Sequence, residues 1–174
     1  MSNSKLLNFY TGVAPDDIGR YLSEILKWSD DELELRHDYI QWLFPLIERS
    51  GFNPSAPVLD GQTIQEFQSR PDLQRVMRSS FLRMLGFYGL EIVESRPPTV
   101  RRASFFTERS KNWLTFSNHN HLRITRILKS MRILGLDVEA TALFDCLASI
   151  YNEESTKDFP GISDETFRFW KERV

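Results

Sequence analysis

His119, Arg123 and Arg126 fall at i, i+4 and i+7, so on a helix they share one face. Two guanidinium groups and an imidazole in that array can hold a phosphate, a nucleotide or a peptide carboxyl terminus, because arginine grips such anions with paired N–H donors. Asn118 and Asn120 add donors at the same helix start, where open backbone N–H groups and the helix dipole favour negative charge. Arg101 and Arg102, from the preceding segment, can close the site. The plain alternative is a solvated face, salt-bridged to some of the 24 acidic residues.

The run His37-Asp38-Tyr39-Ile40-Gln41-Trp42-Leu43-Phe44-Pro45-Leu46 is a second concentration of chemistry. Tyr39, Ile40, Leu43 and Phe44 read as a core face, and Pro45 disfavours helix at the residue before it. His37, Gln41 and Trp42 sit at the edge of that face. There they can form an aromatic groove that receives a peptide, since Trp anchors many interfaces. Gln41 can hydrogen-bond a ligand or satisfy buried backbone.

Other chemistries find less support. The histidines are His37, His119 and His121, and the pair at 119 and 121 points apart on a helix. With a single cysteine besides, no metal and no cofactor are expected. Cys146 would be a nucleophile only with a histidine beside it in space, and a buried inert thiol is the ordinary alternative. No Gly-x-Ser-x-Gly elbow occurs, and Asp16-Asp17 and Asp30-Asp31 sit where helix-start electrostatics explains them. No catalytic residue is assigned. The segment from Arg96 to Lys111 interleaves Arg with Phe and Trp, as single-strand nucleic-acid binders do. A net charge of −2 argues against nucleic acid as the partner.

These side chains need a scaffold. The chain has 174 residues, 41% hydrophobic and 26% charged, with 13 Phe and 4 Trp, which suits a soluble domain with a ring-rich core. No stretch is apolar for long enough to span a membrane, and the start Met1-Ser2-Asn3-Ser4-Lys5 has no signal-peptide core. The lone cysteine fits a reducing compartment. The expected location is intracellular, cytoplasmic or nuclear, and not secreted.

Apolar periodicity predicts helices carrying Ile18, Tyr21, Leu22, Ile25 and Leu26, and then Leu33 through Phe44 after a capping box at Ser29 and Glu32. A short helix follows Thr63, and a long one runs from Pro71 to a left-handed stop at Gly89. Further helices start near Asn118, Asp137 and Ser163, with Leu122 helping to close a first turn. Ile92 and Val93 predict one short extended segment near 90–94, and the rings of 105–116 are expected to be packed. The sum is an all-α fold of about seven helices, in a single compact domain over 15–174 behind a lead-in over 1–14.

Three segments carry a resemblance: the run 37–46, Met84-Leu85-Gly86-Phe87-Tyr88-Gly89-Leu90, and Asn118 through Ser130. In order and spacing they resemble the conserved region of opioid growth factor receptor proteins, over roughly residues 15–150. The chain looks like a short, domain-only member, without the long charged tails of the animal proteins. The resemblance implies a binding domain whose animal members are described as binding an enkephalin peptide; it assigns no site residue. The leading expectation is a module for a peptide segment or small anion. Its site would lie where His37, Gln41 and Trp42 meet Arg101, Arg102, Asn118, His119, Asn120, Arg123 and Arg126. The alternatives are an enzyme using the His/Arg/Asn cluster on a phosphate-bearing substrate, and a structural interaction domain without small ligand.

Overall fold

The computed structural model describes residues 5–173. Helices dominate, with one two-stranded sheet among the described residues. The chain divides into two compact units: 5–83 with Ile133–Gly135, and Met84–Arg132 with 136–173.

The first unit starts with α1 (Lys5–Tyr10), which falls within the expected lead-in and buries Leu6, Leu7, Phe9 and Tyr10. The helix expected from Ile18 shortens to α2 (Leu22–Ile25). Asp16 explains the loss, because its Oδ1 accepts from the backbone N–H of Ile18 and Arg20, at 3.1 and 2.9 Å. That local turn competes with a helical first turn and leaves Ile18 63% exposed. The capping box at Ser29 and Glu32 forms as expected and opens α3 (Asp30–Leu35).

The single helix expected through Phe44 is instead two, α3 and α4 (Ile40–Leu43). Arg36 is extended, and Asp38 is tied at the break by Arg20 Nη1 at 2.9 Å and by Asn53 Nδ2, which donates to its carbonyl at 3.0 Å. The cap of α5 (Gly61–Ser69) is Asp60, upstream of the expected Thr63; its side chain accepts from Thr63 N. The long helix α6 (Pro71–Tyr88) has the predicted start, and the chain passes from the first unit to the second inside it.

The second unit continues α6 to Gly89, whose φ of +77° supplies the left-handed stop. Strands β1 (Leu90–Val93) and β2 (Thr99–Arg102) then pair antiparallel, with Leu90 opposite Arg102 and Ile92 opposite Val100. β2 was not foreseen; the prolines before it mask a short strand. After α7 (Phe106–Ser110) come α8 (His119–Ile133), which belongs to this unit up to Arg132, α9 (Asp137–Glu154) and α10 (Asp164–Lys171). Ser163 caps α10 by accepting from Thr166 N at 3.1 Å. α9 packs against β2 and α10, where Phe167 stacks on Tyr151 at 4.0 Å.

Trp113 is fully buried and donates from Nε1 to the Tyr88 carbonyl at 3.0 Å. Phe105 and Phe116, expected to be packed, are 48% and 76% exposed. Leu122 is 61% exposed rather than closing a turn. α8 buries Asn120, His121, Ile124, Ile127 and Leu128, and that face leaves position 122 on the far side.

Candidate binding groove of the second unit

The expected site residues are divided between the units. His37, Gln41 and Trp42 lie in the first, and Arg101, Arg102, Asn118, His119, Asn120, Arg123 and Arg126 in the second.

In the first unit Trp42 is a core residue. It is 2% exposed and packs on Phe9 with ring centroids 5.0 Å apart. Tyr10, on the same short helix as Phe9, donates its hydroxyl to the Leu43 carbonyl and lies edge-on to Phe67 at 4.7 Å. Burial pushes the Tyr10 hydroxyl far above its ordinary pKa, so it stays a protonated donor. Gln41 is also buried, with its Nε2 3.5 Å from Ser50 Oγ. His37, at the break between α3 and α4, is exposed.

In the second unit the start of α8 is built largely inward. Asn120, His121 and Arg123 are buried, and Arg123 Nη1 donates to Asn120 Oδ1 at 3.1 Å. Asn118 Oδ1 caps the helix by accepting from Asn120 N at 2.9 Å. His121 Nε2 lies 2.9 Å from the Trp113 carbonyl, so that nitrogen carries the proton in the neutral ring. Burial holds the His121 pKa below its ordinary value; the Trp113 carbonyl opposes this, and His119 nearby reinforces it. Trp170 Nε1 donates to the His121 carbonyl at 3.2 Å, with the rings edge-on at 5.7 Å. These groups form a polar lock among Trp113, α8 and α10. His119 is exposed and Arg126 half-buried.

Arg101 and Arg102 lie elsewhere in the unit, on β2. Arg101 Nε pairs with Glu91 Oε1 at 2.8 Å across the hairpin. Arg102 Nη2 pairs with Glu153 Oε1 at 2.7 Å and lies 5.1 Å over the Phe106 ring. Both border a groove of about 760 Å³ between residues 97–102 and one face of α9. The helix side offers Val138, Thr141, Ala142, Asp145, Cys146 and Ser149. Their spacing places them on one helical stripe of small and apolar side chains with an acidic rim. Burial pushes the Cys146 thiol up to about 11, against the pull of Arg102, which makes it a wall rather than a nucleophile at neutral pH.

Sequence reasoning missed this helix stripe. Its one legible signal was the placing of small residues at Thr141, Ala142 and Ser149 along one face of the helix. Among the described residues no three of His, Cys, Asp and Glu gather where they could hold a metal, and no helix is long and apolar enough to cross a membrane.

The chain matches the opioid growth factor receptor conserved region over residues 1–171. It is 43% identical over 122 residues to the opioid growth factor receptor of Homo sapiens, covering 68% of this chain and 18% of that protein. Over 135 residues it is 41% identical to opioid growth factor receptor-like protein 1 of Mus musculus, covering 75% of this chain and 28% of that protein. The same identity and length relate it to opioid growth factor receptor-like protein 1 of Xenopus tropicalis, where the match covers 26% of the relative. The chain thus spans less than a third of the length of these relatives. No solved structure matches it.

Proposed function

This chain belongs to the opioid growth factor receptor conserved-region family, and on that footing we propose that it is a binding module for a peptide segment of a partner. The observation that carries the reading is the groove between β2 and α9, whose walls combine apolar helix surface with the charged rims of Arg102 and Asp145. Its volume, about 760 Å³, falls in the general range of ligand-binding clefts. The receptor names of the relatives agree with a peptide or protein partner.

A peptide suits the groove better than a small anion. The two arginines that border it are already engaged by Glu91 and Glu153, so an anion would have to displace a carboxylate. The inward placement of Trp42, Asn120 and Arg123 gives them a scaffold role in this reading. An intracellular location, cytoplasmic or nuclear, goes with the same reading and the lone cysteine.

The test is an array of capped octapeptides of varied sequence, incubated with the protein and with Ala142→Trp, which fills the groove. A subset of peptides held by the parent and lost by the variant supports the function. A subset held equally by both, with the variant folded by circular dichroism, contradicts it.

A further inference from the structure

Among the described residues the outer edge of β2 has no partner strand. Ala103 N donates to the Gly89 carbonyl at 2.9 Å, which sets the alternation of the antiparallel ladder. With the observed register, Glu91 and Arg101 exchange backbone bonds, as do Val93 and Thr99. The N–H and C=O groups of Val100 and Arg102 therefore point away from β1. Residues 97–102 line the groove as a continuous stretch, including both side-chain parities. A groove over one sheet face would be lined by alternate residues only, so this one runs along the strand edge.

We infer that the groove takes an extended peptide strand, added to the edge of β2, with a basic side chain read by Asp145. The inference deepens the function proposed above and rests on it. Strand addition matches donors and acceptors at Val100 and Arg102 to every second residue of an incoming chain. α9 supplies the floor for the small or apolar side chains on one parity, through Ala142 and Cys146. Asp145 supplies the charge: it is exposed on the rim and has no ion-pair partner among the described residues, whereas Asp137 is held by Arg132 at 3.3 Å. An exposed carboxylate beside an apolar floor favours a lysine or arginine on the incoming strand and disfavours an acidic one. Pro97 and Pro98 bound this stretch at one end, β1 occupies the other edge of β2, and the groove lies beside β2.

The test uses a capped hexapeptide alternating valine with lysine, titrated into isotopically labelled protein and followed by amide NMR. Two further peptides carry N-methyl groups, one on the valine amides and one on the lysine amides. Strand addition predicts shifts and exchange protection at the Val100 and Arg102 amides. It predicts loss of at least about tenfold in affinity for one methylated peptide and little change for the other, since only one parity faces β2. Asp145→Lys should reverse the preference toward a valine–glutamate hexapeptide. Equal tolerance of both methylated peptides, with binding still abolished by Ala142→Trp, overturns strand addition while the groove function stands. Binding indifferent to Ala142→Trp, or no binding by any of these peptides, overturns the inference; indifference to Ala142→Trp overturns the groove function with it.

Discussion

The run His37–Leu46 and the β2–α9 groove use their residues in opposite ways. The run is rich in rings, and the structure turns most of it inward: Tyr39, Ile40, Trp42, Leu43 and Phe44 are all at or below 3% exposed. The groove is built from a proline-broken segment and a helix face of small residues, and it is where charged side chains and open backbone meet solvent. Large apolar surface is worth most when buried, so a ring-rich motif is spent on stability. In the proposed reading, recognition falls to a surface whose floor, Ala142 and Cys146, is buried while its rim at Thr141 and Asp145 is exposed.

That contrast is most easily broken at Trp42. Trp42→Ala should cost about 4 kcal/mol, because it removes a buried ring against Phe9. Chemical denaturation reads this directly, and a variant of unchanged stability that had lost peptide binding would invert the assignment. A second large effect is expected at Gly89. A Cβ there would lie 2.8 Å from Phe106 Cα on backbone of positive φ, so Gly89→Ala should destabilise by more than about 1 kcal/mol. Thermal melting of that variant at or above the parent would show that the hairpin tolerates a shift.

The polar lock gives a pH signature in the second unit. The unfolded His121 titrates near its ordinary value of about 6.5, and the folded one lower. Above that value both states are neutral and the contribution is complete. As pH falls below it, the unfolded chain takes up the proton first, so stability declines toward the lower folded pKa. His121→Gln should flatten this part of the stability profile, and an unchanged slope would remove His121 as its source. Smaller still is Ser29→Ala, which should cost about 1 kcal/mol by removing the cap at Glu32 N. Asp145→Ala should change stability by less than about 0.5 kcal/mol, as an exposed carboxylate without an ion pair among the described residues. A larger change would mean that Asp145 supports α9 rather than reading a ligand.

Much of the scaffold was legible because local rules decided it. The capping box at Ser29, the proline start at Pro71, the glycine stop at Gly89 and the cap at Ser163 each act within a turn of sequence. The failures came where distant groups decided. Asp38 is held by Arg20 and Asn53, so no periodicity through His37 could foretell the break there. Strand β2 exists because β1 pairs with it, not because Thr99–Arg102 reads as a strand. For the site, the charged residues were visible but their engagement was not. Arg123 turned inward to Asn120, while Arg101 and Arg102 alone of the arginines singled out came to border the groove.

The most direct measurement is an amide shift map of the labelled protein titrated with the valine–lysine hexapeptide. The largest perturbations should fall on Val100, Arg102, Thr141 and Asp145, with His37 through Trp42 unmoved. Perturbations centred on His37, Gln41 and Trp42, with β2 and α9 silent, would contradict the assignment of recognition to the groove.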